Sequence, residues 1–243
     1  MRAAVAHTRV RAALIGRGRM GRAIEALAAD HAVDVVAMLG RGDAIDRDTL
    51  GGAQVAIEFT EPAAALANLR ACARVGCPVV VGTTGWGAPD AALRAELDTA
   101  RARVLVAANF SLGVNALLGV VGRLAAVLTE AGFASHLVET HHAAKKDAPS
   151  GTALALADAV AADVGREVQR PEITSVRVGA VPGTHTLIFD APFEQLRVTH
   201  EARDRRVFAS GALVAARWLA ADRPPGVYTM QDVLAPTTGA AEV

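Results

Sequence analysis

This chain of 243 residues has little of what usually gives a function away. It has two cysteines, its aromatic content is 4%, and its 25 Lys and Arg are matched by 25 Asp and Glu, for a formal net charge of zero. A neutral chain sets up no long-range field to recruit nucleic acid or an anionic membrane surface, so any anion site must be a local one. Cys72 and Cys77 lack the paired spacing of a zinc knuckle or a disulfide framework. They read as buried reduced thiols of a cytoplasmic protein. No apolar run approaches the roughly 20 residues needed to cross a bilayer. The basic start MRAAVAHTRVRAALIG breaks its apolar stretch at His7, Arg9 and Arg11, which argues against a signal peptide.

What is present is alternation. From Val10 to about Ala107, short β-rich apolar runs at 11–15, 33–39, 54–59, 78–81 and 103–107 alternate with helical patterns at 20–29, 63–75 and 89–101. That order predicts a doubly wound, Rossmann-like parallel sheet built from βαβ units. After Gly113 the texture changes. A long apolar helix over 114–131 leads to a strand at 135–139, a polar loop, and a helix over 152–164. Three further strand-like runs follow at 174–178, 185–189 and 196–200. Strands in succession predict a mixed or antiparallel sheet, hence a second α+β domain. A helix over 208–220 precedes the turn-rich RPPGVY.

Gly16-Arg17-Gly18-Arg19-Met20-Gly21 fits G-x-G-x-x-G between the first strand and the first helix. Its glycines serve a tight turn, close approach to a pyrophosphate and close helix packing, and the helix start favours phosphate. An NAD-binding second strand should end in an acid, yet Gly40 stands there and Arg41 follows. A guanidinium can pair with a 2′-phosphate bidentately. NADPH is therefore favoured over NADH, with Asp43 left open as an alternative ribose partner. Gly82-Thr83-Thr84-Gly85 and Ala107-Ala108-Asn109-Phe110 follow later strands, at the sheet end where ligands of such folds sit. Their threonine hydroxyls and the Asn109 amide could bind a carboxamide, and Phe110 could pack on a flat ring.

The densest chemistry lies at 139–153, ETHHAAKKDAPSGTA. Ser150-Gly151-Thr152 opens a helix whose first N–H groups suit a carboxylate. Lys145 can pair with charge or give a proton, and a histidine near neutrality can do either. Lys146 reads as solvated, and Asp147 as orienting a cation or shaping the turn. Metal binding by His141 and His142 is not expected, because adjacent residues of an extended segment point apart.

At these residues the chain resembles the 4-hydroxy-tetrahydrodipicolinate reductase (dihydrodipicolinate reductase) family of lysine and diaminopimelate biosynthesis. The pattern E-x-H-H-x-x-K-x-D-A-P-S-G-T-A is matched from Glu139 to Ala153. GRGRMGRAI, EFTEP, VGTTG, AANFSLGVN, THEARDRRVFASGAL and VYTMQDVL extend the match over most of the chain. The resemblance implies an NAD(P)H-dependent reductase, usually a homotetramer with the second domain's sheets at its core. It implies His141 as proton donor or acceptor, Lys145 as proton donor, and His142, Gly151 and Thr152 as holders of a dicarboxylate substrate. Cofactor contacts would come from residues 16–21, Arg41, 82–84 and 107–110. The domains would be 1–110 with 217–243, and 111–216. The family's acidic ribose ligand is missing at Gly40, which puts efficient use of NADH in doubt. Rival readings are another two-domain dehydrogenase of amino or hydroxy acids, and a nucleotide-sensing regulator. The regulator would leave residues 139–152 without a use.

Overall fold

The structure, a computed structural model, describes residues 8–87, 89–162 and 168–235. The chain divides into two compact units, one formed by residues up to Phe110 and from Phe208 onward, the other by Ser111–Val207.

The first unit is a six-stranded parallel sheet. Its strands are β1 (Val10–Ile15), β2 (Val33–Leu39), β3 (Val55–Glu58), β4 (Val79–Val81), β5 (Arg103–Val106) and β10 (Gly226–Tyr228), in spatial order β10-β5-β4-β3-β1-β2. Helices α1 (Arg19–Leu27), α2 (Pro62–Arg74) and α3 (Ala91–Thr99) are the crossovers. β3 to β5 read as continuous apolar runs because a parallel sheet is covered on both faces; Val79, Val80 and Val81 are fully buried. α2 starts on Pro62, where a missing N–H costs nothing, and buries Leu69 and Cys72. α3 is capped by Asp90, whose carboxylate accepts the Leu93 N–H at 2.8 Å. Both cysteines are free and buried, and burial pushes the Cys77 thiol up to about 11.

Two expectations need correction here. Half of RPPGVY is strand rather than turn, since Gly226–Tyr228 extends the sheet as β10 beside β5. Three residues after a Pro-Pro pair carry too little pattern to be read as a strand. The chain also rejoins the first unit at Phe208 rather than near Arg217, inside helix α6 (Arg206–Ala220). α6 buries Ala209, Gly211, Ala212, Leu213, Ala215 and Ala216. The alanines and Gly211 let it pack so closely that a Cβ on Gly211 would stand 1.7 Å from the Phe110 carbonyl oxygen.

In the second unit, α4 (Leu112–Glu130) and α5 (Gly151–Ala161) pack on one face of a mixed sheet ordered β7-β6-β8-β9. β6 (Ala134–His141) runs parallel to β7 (Glu172–Arg177) and antiparallel to β8 (Thr184–Ala191), and β9 (Glu194–Glu201) is antiparallel to β8. Leu137, Leu187, Phe189, Leu156 and Val121 form its core. β6 is longer than the sequence implied, so His141 ends a strand rather than opening the loop. The expected extension of α5 to Val164 falls outside the described residues. α4 has 19 residues and a mean hydropathy of 1.7, so a helix of roughly bilayer length does exist, contrary to the reading from sequence. Core helices share that property, and α4 packs along α5 and β6.

Candidate active site

In the first unit β1 lies between β2 and β3, so the crossovers diverge at its carboxyl end, the switch point where open α/β sheets bind ligands. A cleft of about 400 Å³ opens there, lined among others by Gly16, Arg17, Gly18, Arg41, Thr60 and Asn68. A cleft of about 450 Å³ at the opposite end, lined by Gln54, Pro78 and Arg103, sits at the amino ends of the strands and lacks that geometry. Gly16 has φ of +115°, and a Cβ on it would stand 2.0 Å from the Phe59 oxygen. Gly18 is the N-cap of α1 with no side-chain cap, and a Cβ on it would meet nothing within 4 Å among the described residues. That open space above uncapped helix N–H groups fits a pyrophosphate. Arg19 and Met20 begin α1, and Gly21 is buried against Gly16.

Around the carboxyl end of β2, where the sequence places a ribose contact, both signs of charge are present. Asp43 accepts the Gly40 N–H at 2.8 Å, so a carboxylate does stand at the end of β2, supplied from three residues further on. Arg17 lies beside Gly40 and donates to the Met38 carbonyl at 2.7 Å. Arg41 pairs with Glu61 at 2.9 Å, with 85% of its side chain exposed. An ion pair so exposed contributes at most about 1 kcal/mol, so Arg41 can be given up to an incoming phosphate.

Of the later segments, Gly82 lies against the Phe59 ring, and Thr83 accepts the Thr60 N–H at 2.7 Å. The Thr83 hydroxyl thus ties two loops together. Thr84 is exposed. The Phe110 side chain is 2% exposed, with its ring 5.5 Å from that of Phe59. It therefore serves packing, where the sequence reading gave it a ligand ring. Ala107, Ala108 and Asn109 follow β5 as expected. Given no role from sequence, although it opens the EFTEP match, was Glu58, wholly buried at the end of β3, where Thr60 and Asn68 donate to Oε1 while Oε2 has no hydrogen bond among the described residues.

In the second unit the cluster is richer than its sequence. His141 and Glu139 point to the same side of β6, and their side chains are in contact through His141 Nδ1 and Glu139 Oε2. Glu139 is fully buried. Its Oε1 accepts Arg177 at 2.7 Å and the Ser150 N–H at 3.3 Å. Burial pushes this carboxyl up, but hydrogen bonds from Ser175, Arg177 and Ser150, with His141 beside it, prevail and hold it at about 2. His141 is lowered, by burial first, against the opposing pull of Glu139. His185 stands edge-on to it, ring centres 5.1 Å apart, and burial pushes His185 down to about 4. Strand register explains the gathering: Ser175, Glu139, His185 and His200 are successive cross-strand partners on β7, β6, β8 and β9. The two histidines hold two helix caps, His185 Nε2 to Ser150 at 3.1 Å and His200 Nε2 to Ser111 at 3.1 Å.

Lys145 Nζ contacts both oxygens of Asp147 at 2.9 Å. This bears out Asp147 as the orienter of a cation, and Lys146 is exposed as expected. Arg177 also donates to the Asp147 carbonyl at 2.7 Å, tethering the loop to β7. His142 is half-buried just past β6, and Gly151 and Thr152 begin α5, whose cap Ser150 takes the Ala153 N–H at 3.2 Å. Arg177, His185 and His200 were missed. Their one signal was a polar residue at an inward position of an alternating strand. Atoms of Glu139, His141 and His185 lie within 4.8 Å of one another, as metal ligands would. Arg177 already neutralises Glu139 and Lys145 adds positive charge nearby, so a divalent cation would enter against two fixed charges. The cluster is better suited to moving protons.

A glycine cradle at a parallel-sheet switch point, carried in one chain with a buried acid-base cluster, defines a nucleotide-dependent oxidoreductase. Comparison with known proteins narrows the class. Residues 10–110 match the family model described as dihydrodipicolinate reductase, N-terminus, and residues 113–234 match its C-terminus. A 4-hydroxy-tetrahydrodipicolinate reductase of Thiobacillus denitrificans is 40% identical over 93% of this chain and 98% of its own length. One from Rhodopseudomonas palustris is 44% identical over 73% of this chain and 71% of its own. The fold is similar to that of a dipicolinate-bound dihydrodipicolinate reductase from Paenisporosarcina sp. TG-14, with TM-score 0.73, 20% identity, and 91% and 97% of the two chains covered. The chain belongs to the dihydrodipicolinate reductase family. It is an oxidoreductase that uses NAD(P)H.

Proposed function

We propose that this chain reduces 4-hydroxy-tetrahydrodipicolinate to tetrahydrodipicolinate, taking hydride from NADPH and releasing water, in lysine and diaminopimelate biosynthesis in the cytoplasm. The reaction consumes one hydride and one proton and expels the 4-hydroxyl as water. The observation that carries this reading is the arrangement in 139–153, where His141, Lys145 and the start of α5 belong to one small loop-and-strand unit. The ring's two carboxylates call for fixed positive ends. Lys145, His142 and the α5 start with Gly151 and Thr152 supply them. A substrate carboxylate would compete with Asp147 for Lys145, placing the ammonium beside the reacting ring as proton donor, with His141 as the exchanging base.

NADPH is favoured because Arg17 and Arg41 line the ribose end of the cleft, while Asp43 is engaged by Gly40. When bound, the cofactor supplies the hydride; the chain's own part is to seat it by Gly16–Gly21 and Arg41. We further propose a homotetramer. The face of the second sheet turned away from α4 and α5 carries Thr174, Val176, Val138, Thr186 and Thr199, half-buried or exposed, and among the described residues of its unit no helix covers it.

A coupled assay fed with the product of dihydrodipicolinate synthase, run with each cofactor and beside 2-oxo-acid substrates, tests the reading. Turnover of a 2-oxo acid and not of the dicarboxylate would replace it. Lys145→Ala should lower kcat by about 100-fold or more while NADPH binding changes less than about twofold. Unchanged kcat would remove Lys145 from the chemistry.

A further inference from the structure

The sequence points to His141 as a proton carrier but says nothing about which of its nitrogens does the work. A neutral imidazole has one N–H and one lone pair, and the partner of one nitrogen decides the role of the other. We infer that Glu139 is a positioning residue for this reaction, its buried carboxylate holding the His141 proton on Nδ1 so that Nε2 is the atom that exchanges protons. This rests on the function proposed above.

Three observations support the assignment. The Glu139 carboxylate is fully buried and its second oxygen is spoken for by Arg177 and the Ser150 N–H. It therefore stays ionised and can only accept. Oε2 touches Nδ1 of His141, so a neutral His141 gains most by carrying its proton on Nδ1, against the carboxylate. Finally, only a glycine stands at the far edge of the ring, so no side chain blocks Nε2: a Cβ on Gly183 would lie 3.0 Å from Nε2 and 3.3 Å from Cδ2. The surroundings suit an imidazole that stays neutral until it is used. Arg177 on β7, Lys145 on the loop and His185 on β8 all oppose a second charge on His141, whereas Glu139 favours it. Asp147 is satisfied by Lys145, and Ser175 donates to Glu139.

The arrangement also explains why the polar row crosses the sheet. His185 occupies the position opposite Glu139 in register and gives its Nε2 side to the Ser150 hydroxyl. It thereby fixes the α5 cap whose N–H binds Glu139. Positioning of the base and of the carboxylate-binding helix start are thus tied to one another through Ser150.

The test uses the full-length enzyme with 15N-labelled histidine. NMR shifts of the ring nitrogens report the tautomer and titration of His141 without turnover, while steady-state kinetics report kcat and KM. In the unmodified enzyme Nδ1 should be protonated and Nε2 bare above neutral pH. Glu139→Gln should mix the tautomers, move the His141 titration to lower pH, and reduce kcat by roughly 100- to 1,000-fold, with KM for the dicarboxylate within about threefold. Arg177→Gln keeps the carboxylate but removes its counter-charge, so it should move the His141 titration to higher pH. That arm decides the matter where Glu139→Gln does not fold. A proton on Nε2 in the unmodified enzyme, an unchanged tautomer in Glu139→Gln, or shifts of the same sign in both variants overturns the inference. Absence of dicarboxylate turnover in the unmodified enzyme would instead sink the proposed reaction and leave the tautomer result standing.

Discussion

The glycines of the first loop separate into one that the fold needs and one that the ligand needs, and alanine at each should tell them apart. Gly16 has φ of +115° and a would-be Cβ 2.0 Å from the Phe59 carbonyl oxygen. Alanine there costs about 1–2 kcal/mol for the backbone region and about 1–3 kcal/mol for overpacking against an immobile main chain. A loss of roughly 2–5 kcal/mol follows, a large share of the roughly 5–15 kcal/mol that holds a domain together. Gly18 has φ of −75° and free space around its would-be Cβ. Alanine is the poorer N-cap by up to about 1 kcal/mol, but it stiffens the unfolded chain by about 0.4–1 kcal/mol. The two nearly cancel, so Gly18→Ala should leave stability within about 1 kcal/mol. Its methyl would, however, occupy the space proposed for the pyrophosphate, weakening NADPH by about tenfold or more, or about 1.4 kcal/mol. Urea unfolding without nucleotide gives the first pair of numbers, and quenching or enhancement of nucleotide fluorescence gives the second. The reasoning fails if Gly18→Ala unfolds as readily as Gly16→Ala, or if it binds NADPH like the unmodified protein.

Other expectations follow from the same geometry. His185 sits at about 4 in the folded chain against an ordinary value of 6.5, so the unfolded chain takes the proton first. Stability should be full above about pH 6.5, fall by up to about 3 kcal/mol as pH drops to about 4, and level off below. Urea midpoints across that range should flatten in His185→Gln, and an unaltered slope would refute the assignment. Glu139, depressed to about 2, contributes in a lower window: its stabilisation is present above about pH 4.5 and lost as pH falls towards 2. Arg41→Ala should weaken NADPH by about tenfold and NADH by less than about twofold, measured as Kd by titration; equal losses would move 2′-phosphate recognition elsewhere. Leu137, fully buried between the second sheet and its helices, should cost about 2–5 kcal/mol on Leu137→Ala, read from urea unfolding.

Much of the scaffold was legible because it rests on local signals. The alternation of β-rich runs and helices located five of the six parallel strands, and the glycine loop fell between β1 and α1 where expected. Asp90, Ser111 and Ser150 cap helices through contacts three residues away, the range over which sequence speaks most clearly. What was illegible depends on register. Glu139, His185 and His200 come together because β6, β8 and β9 align at one residue in particular, and a slip by one would turn each to the other face. Arg177 reaches Glu139 from 38 residues away. Phe110 was misassigned for a related reason. Its neighbours Phe59 and Gly211 arrive from distant segments, and nothing near residue 110 announces them.

The nucleotide-binding unit is spliced from two stretches of chain, with the other unit an unbroken insert between them. On the ribosome the insert has all of its strands as soon as residue 207 emerges, whereas its host must wait for α6 and β10. Until Gly226–Tyr228 arrives, β5 is a bare sheet edge beside a freshly finished neighbour, and any truncation before that strand makes the delay permanent, leaving a main-chain template on which other copies can aggregate.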